Sequence, residues 1–113
     1  MKVFVQFLYE QDYINIAKLG KSYLISLDDK PFKVGDAVAI VNYVQHPFSI
    51  KEMICKRVAF IETFRKNPQY PLVHFLSLSE FENPEDGELG KGIALKIIED
   101  LGYGLISTCL QTL

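Results

Sequence analysis

Lys21 follows Gly20 at the end of a short amphipathic run, and the pair opens a β-rich segment. A lysine just past a helix end can supply a positive charge for phosphate, or an amine made reactive by loss of water. It can equally stabilise the negative end of the helix dipole with no ligand at all. We predict that Lys21 and the adjacent Ser22 belong to a ligand-binding site.

Aromatic and basic side chains recur along the predicted strands. Tyr23, Tyr43 and the loop at His46 offer ring faces, and Lys56 and Arg57 offer positive charge. Nucleobases stack on such rings, with about 1–3 kcal/mol for each stacked base. Aromatic residues in strands also serve as ordinary core residues. We include these five residues among the predicted ligand-binding residues.

The histidines and cysteines give no pattern for a metal site. His46 and His74 are the two histidines, and neither has a carboxylate at a recognised metal-ligand spacing. Cys55 and Cys109 form no CxxC pair, and in a reducing compartment we expect buried free thiols rather than a disulfide. We therefore predict no metal, no cofactor and no assigned catalytic residue.

Hydrophobic periodicity predicts the elements that would position these side chains. A short helix starts at Asp12 as its cap and ends near Leu19, and a longer helix covers 89–101 and ends at Gly102. The apolar and alternating runs predict strands over 2–8, 22–27, 36–44, 50–64 and 72–78, and residues 103–110 fit a final strand.

Two details of the strand pattern bear on the fold. The segment 50–64 mixes apolar and charged residues on both faces, which is typical of a strand with a bulge at its middle. Gly35-Asp36 before a β-branched run predicts a tight turn into the next strand. The sequence predicts a single α+β domain over 1–113. It has a bent sheet of five to six strands or a partly open β-barrel, with a short N-terminal and a longer C-terminal helix.

Composition favours a folded domain and restricts its partners. The chain has 113 residues, of which 49% are hydrophobic and 23% charged, and no apolar run is long enough to span a bilayer.

Charge is unevenly distributed along the chain. Residues 1–66 carry ten Lys/Arg and seven Asp/Glu, whereas residues 67–113 carry two Lys/Arg and seven Asp/Glu. The net charge of −2 argues against sequence-blind binding to duplex DNA. With no signal-peptide pattern, we expect a cytoplasmic protein without a membrane partner.

The region 9–79 resembles the ASCH domains of the PUA-like superfamily. The resemblance rests on a short helix leading into Gly20-Lys21, a strand, and then the turn Phe32-Lys33-Val34-Gly35-Asp36 before a barrel strand. It implies a cleft between the first helix and the barrel that holds RNA, a nucleotide or a modified nucleobase. Some members of the family hydrolyse amides on modified nucleosides, so the resemblance also implies this activity as an alternative.

This chain departs from the family at the catalytic positions. Ile25 and Leu27 stand where the family places an acidic residue and an arginine. Ser22 and Tyr23 follow where catalytic members have a second lysine or a threonine, and no residue matches the catalytic glutamate. The departures weaken the expectation of catalysis more than the expectation of fold.

Three functions follow as hypotheses. The first is a PUA-like binding module for RNA, a nucleotide or a modified nucleobase. The second is a small protein-interaction factor or phage-type inhibitor, whose acidic C-terminal half would meet a basic protein partner. The third is a nucleoside amidohydrolase, which rests on the resemblance.

Overall fold

The computed structural model describes residues 1–26, 30–45 and 48–111, without the side chains of 44, 45, 48 and 102–111. Within these described residues, two helices and five strands follow one another. In order they are β1 (Val3–Leu8), α1 (Glu10–Ala17), β2 (Tyr23–Ser26), β3 (Ala37–Gln45), β4 (Phe48–Phe64), β5 (Val73–Ser79) and α2 (Pro84–Gln111).

The strands form one mixed sheet in the order β1-β3-β4-β5-β2. β1 pairs with β3 in parallel, and the other neighbours pair antiparallel. The predicted α+β class is confirmed, with a short N-terminal and a longer C-terminal helix. The sheet is open, and β1 and β2 are its edges, so it does not close into a barrel.

The sheet nevertheless curls around the side that carries α1. The ring of Phe32 lies 4.6 Å from that of Phe4 on β1 and 5.8 Å from that of His74 on β5. Three strand spacings separate β1 from β5, which in a flat sheet would be about 14 Å. One ring that contacts both strands therefore indicates strong curvature, and α1 occupies the concave side.

A hydrophobic core fills the concave side between α1 and the sheet. Tyr13 and Ile16 of α1 are buried against Val38 and Ile40 of β3 and against Leu76 of β5. These residues follow the helical and strand periodicities that place one face of each element inside. The core holds α1 over the sheet and thereby positions the segment that follows the helix.

α2 packs on the opposite side, over β1, β3 and β4. Small side chains line this contact, because Ala37, Ala39 and Ala94 are fully buried. At Gly90 a β-carbon would lie 2.6 Å from the sulfur of Cys55. The helix backbone can approach β4 this closely because Gly90 has no side chain.

The predicted turn before β3 is present and is anchored by Asp36. Its carboxylate accepts hydrogen bonds from the backbone N–H groups of Lys2 and Lys33, each at 3.0 Å. Asp36 is buried. It therefore ties the N-terminus to the turn and has a structural role.

β4 contains the predicted bulge. Its pairing with β5 shifts register between Val58 and Phe60. Val58 is fully buried, whereas Phe60 is 55% exposed. In a regular strand the two would share a face, but here they lie on opposite faces, because the extra residue of a bulge reverses the alternation beyond it.

The helix boundaries differ from those predicted. α1 begins at Glu10 after Tyr9, so Asp12 lies in its first turn and is not its cap. α2 begins at Pro84 and not at residue 89. The carbonyl oxygen of the Asn83 side chain accepts a hydrogen bond from the N–H of Glu85 at 3.0 Å. Pro84 therefore occupies the first helical position, where its missing N–H costs nothing.

The end of α2 is the largest departure. The helix continues through Gly102 to Gln111, so the predicted stop at Gly102 and the final strand over 103–110 were both wrong. Glycine lowers helix stability but does not by itself end a helix. Within the described residues, neither helix has the combination of length and apolar composition that a bilayer crossing requires.

Candidate functional site

A cleft of about 200 Å³ lies between the end of α1 and the sheet. Helix, loop and strand residues form its walls. They are Ile16, Gly20, Lys21, Ser22, Lys56, Leu78, Ser79 and Glu80. Three of the predicted ligand-binding residues, Lys21, Ser22 and Lys56, therefore meet in one place.

The chain reversal after α1 builds one wall of this cleft. Gly20 adopts φ +81°, a left-handed conformation that glycine accepts without strain. The N–H of Lys21 donates to the carbonyl of Asn15 at 2.9 Å, and the N–H of Leu78 donates to the carbonyl of Ser22 at 2.7 Å. These bonds fix Lys21 and Ser22 between the helix end and β5.

The middle of β4 and the end of β5 supply the other wall. Lys56 of β4 lies opposite Val38 of β3, on the same side of the sheet as α1. Its ammonium group forms an ion pair with the carboxylate of Glu80. The Lys56 side chain is 21% exposed and that of Glu80 is 79% exposed, so the pair lies at the rim of the cleft.

The cleft combines an apolar base with polar walls. Ile16 and Leu78 are buried. The polar lining residues are Lys21, Ser22, Lys56, Ser79 and Glu80, and the Lys56 ammonium is paired with the Glu80 carboxylate. Its volume is below the roughly 300–1,000 Å³ of pockets that hold drug-sized ligands. The arrangement suits one planar ring or one phosphate, with the rest of a longer ligand outside.

Lys21 also reaches the opposite side of the sheet. Its ammonium lies 4.7 Å from the ring centroid of Tyr23, a cation–π contact. Tyr23 in turn stacks on Phe75, with centroids 5.0 Å apart and planes inclined by 15°. Since Leu24 of β2 faces the α1 core, its neighbour Tyr23 points away from the cleft.

Two other predicted site residues, Arg57 and Tyr43, lie in separate clefts. Arg57 follows Lys56 in β4 and lies in a separate cleft of about 310 Å³ beside Leu89 of α2. Tyr43 lines a third cleft, of about 160 Å³, and makes an edge contact with Phe7 at 5.9 Å. His46 lies outside the described residues.

The strand register explains this separation. Tyr43 pairs with Ile50, whereas Lys56 pairs with Val38. Five residues along β3 separate Tyr43 from Val38, which corresponds to about 17 Å. The structure therefore does not bring Tyr43 close to the Lys56 side chain.

Glu80 and Ser79 are the cleft residues that sequence reasoning missed. The sequence places Glu80 at the start of an acidic segment, which suggests a solvated loop. Their position directly after the predicted strand 72–78 was a signal in the sequence. Strand ends commonly present polar side chains to a site, but the antiparallel pairing of β5 with β2 was needed to identify which site.

His74 and Cys55 are buried in the core and line none of the three clefts described above. Nδ1 of His74 lies 3.0 Å from the hydroxyl of Thr63, and its buried Nε2 has no hydrogen-bond partner among the described residues. Burial raises the pKa of the Cys55 thiol to about 11. Among the described residues no group of three His, Cys, Asp or Glu side chains could hold a metal ion.

Comparison with known proteins gives no family model that matches the chain and no curated protein with a significant sequence match.

Proposed function

We propose that this chain is a small binding module for RNA or nucleotides, and that its ligand occupies the cleft between α1 and the sheet. One observation carries the proposal. Lys21, Ser22 and Lys56 come from separate parts of the sequence and line a single cleft of about 200 Å³. The resemblance to ASCH domains implies a ligand in the corresponding place.

The chemistry of the cleft supports a nucleotide in particular. Lysine ammonium groups bind phosphate as point charges, and Ser22 adds a hydroxyl that can donate or accept. Ile16 and Leu78 offer apolar contacts to one face of a base. The open rim allows a ribose-phosphate chain to leave the cleft toward solvent.

The test measures the affinities of mononucleotides, nucleosides and short single-stranded RNA. NMR chemical-shift changes during titration give each dissociation constant at about 50 and 200 mM salt. We expect binding that weakens with salt and shifts the resonances of Ser22 and Ser79. Replacing Lys21 or Lys56 with Ala should weaken binding by about tenfold each, since a charged hydrogen bond is lost.

Lys96→Ala is the matched control, because Lys96 is an exposed lysine on α2 that pairs with Asp100. It should bind like the unmodified protein. The proposal is wrong if no nucleoside, nucleotide or RNA binds, or if Lys96→Ala weakens binding as much as Lys21→Ala does.

Glu80 favours a second candidate function, hydrolysis of an acylated nucleoside. A carboxylate next to an ammonium group in a ligand cleft has the two charge types that general acid–base catalysis uses. Glu80 would accept a proton from the attacking water, and Lys56, its ion-pair partner, would stabilise the negative oxygen that forms on the acyl carbon. As the C–N bond breaks, Glu80 would return the proton to the departing amino group of the nucleoside, and the acyl group would leave as the carboxylic acid. Incubation with acylated cytidines at high protein concentration tests this function. Product that disappears with Glu80→Gln supports it, and no product at all excludes it for these substrates.

A further inference from the structure

Four exposed apolar side chains and one half-buried ring, that of Phe75, lie on the side of the sheet opposite α1. This group, named the aromatic face, consists of Tyr23, Ile25, Phe60, Phe64 and Phe75. Three of its members are more than half exposed: Ile25 at 54%, Phe60 at 55% and Phe64 at 56%. Exposed apolar groups that cluster, rather than scatter singly, mark binding surfaces.

The strand register makes these side chains neighbours. Ser77 of β5 pairs with Tyr23 on one side and with Phe60 on the other. Phe75 pairs with Ile25. Residues that pair directly across antiparallel strands share a side of the sheet, so the aromatic face extends over β2, β5 and the second half of β4, with Ser77 and Glu62 on the same side between its members.

Positive charge borders the aromatic face at both ends. The ammonium of Lys21 lies over the Tyr23 ring at one end. At the other end Arg65 and Lys66 follow Phe64, and the Lys66 ammonium lies 5.7 Å from the ring centroid of Tyr70. Glu62 pairs with Phe75 and places one carboxylate on the same side of the sheet, among the described residues of the face. The balance is positive in a chain whose net charge is −2.

We propose that the aromatic face binds single-stranded RNA, with bases stacked on the exposed rings of Phe60 and Phe64, beside the stacked pair of Tyr23 and Phe75. The phosphates would contact Lys21, Arg65 and Lys66. Phe60 and Phe64 are about 13 Å apart along β4, and three strands add about 10 Å across. An area of this size takes two or three bases, as in other sheets that present aromatic side chains to RNA.

This inference rests on the proposed function, because Lys21 belongs to both places. It lines the cleft and also lies over the ring of Tyr23. One strand of RNA can therefore place a base in the cleft, cross the β2 edge at Lys21 and continue over the aromatic face. A purely apolar protein partner would leave the cations at both ends without counter-charges, which RNA phosphates supply.

The experiment compares a mononucleotide with a single-stranded RNA of about eight nucleotides, a length within the usual site sizes for such surfaces. Fluorescence anisotropy and NMR titration measure both dissociation constants. We expect the octamer to bind at least about tenfold more tightly than the mononucleotide. The double variant Phe60→Ser/Phe64→Ser should lose about that factor for the octamer and keep the affinity for the mononucleotide.

Leu95→Ser is the matched control, since Leu95 is 50% exposed and lies on α2. It should leave both affinities unchanged. Glu62→Gln gives an independent measurement: it removes the carboxylate next to the rings and should strengthen octamer binding by about threefold. These side chains are exposed, and circular dichroism checks that each variant folds.

The outcomes separate the two proposals. Octamer affinity equal to that of the mononucleotide, or unchanged by Phe60→Ser/Phe64→Ser, overturns the aromatic face and leaves the cleft standing. If the octamer binds through Phe60 and Phe64 but no mononucleotide binds, the proposal for the cleft is overturned and the proposal for the aromatic face stands. If neither ligand binds, both proposals fail. A dimer that becomes monomeric in the double variant would assign the face to a second copy of the chain and overturn the RNA proposal.

Discussion

Cys55 controls how closely α2 approaches the sheet. Its sulfur occupies the space next to Gly90, where a β-carbon would be only 2.6 Å away. Burial is the main reason that the pKa of its thiol is raised from 9.0 to about 11, because the thiolate is poorly solvated in an apolar contact. At neutral pH the thiol is therefore protonated and packs as a small apolar group.

The raised pKa predicts how Cys55 affects stability. The folded protein holds the proton more tightly than the unfolded chain, so the thiol's contribution to the free energy of unfolding is fully present below about pH 9. It falls as the pH rises toward 11. Urea unfolding of Cys109→Ser and of Cys109→Ser/Cys55→Ala, measured at several pH values, isolates this contribution. The stability difference between the two variants should shrink above pH 9.

Reactivity checks the same environment directly. In the Cys109→Ser variant, Cys55 should resist a thiol reagent at about pH 8 in the folded state and react once urea unfolds the chain. Equal reaction rates with and without urea would contradict the buried, protonated thiol.

The turn before β3 depends on the buried carboxylate of Asp36. Replacing Asp36 with Ala removes the acceptor for two backbone N–H groups. We expect the free energy of unfolding to fall by about 2–3 kcal/mol, since the bonds involve a charged acceptor and the site is buried. Asp36→Asn keeps one acceptor oxygen and should cost less. Chemical denaturation measures both.

Asp12→Ala is the control for the loss of a carboxylate. Asp12 is exposed in the first turn of α1, where it stabilises the helix by about 0.3–1 kcal/mol through the helix dipole. If Asp36→Ala destabilised the protein no more than Asp12→Ala does, the anchoring role of Asp36 would be wrong.

The molecule as a whole is organised around β3. This strand has neighbours on both sides and helices over both faces, and residues 37–42 are all buried. β2 is a short edge strand that pairs with β5. The burial therefore decreases from the centre of the sheet toward β2, where both proposed binding surfaces lie.

This gradient predicts the pattern of amide hydrogen exchange. Amides of β3 should exchange slowest, through global unfolding, and those of β2 should exchange faster, through local opening at the edge. NMR-detected exchange at two protein concentrations measures this. Protection of β2 that equals that of β3 and rises with concentration would show instead that another copy covers the edge.

Local patterns were enough to predict most elements. Alternation and apolar runs located the five strands found among the described residues, and the mixed faces of 50–64 indicated the bulge in β4. The error at the C-terminus has a local cause. Residues 103–110 are apolar without clear periodicity, and such a run does not distinguish a strand from the continuation of a helix.

The candidate site depended on two kinds of information. The sequence by itself determined that a glycine turn follows the first helix and places Lys21 shortly before a strand, because turn preferences act over a few residues. The helix itself ends at Ala17, earlier than the predicted end near Leu19. Only the tertiary structure decided that Lys56 and Glu80 join Lys21 while Tyr43 does not, and that Phe60 and Phe64 face solvent beside Phe75. Strand order, register and the reversal of sides at a bulge arise from pairing between distant segments, and no local preference specifies that pairing.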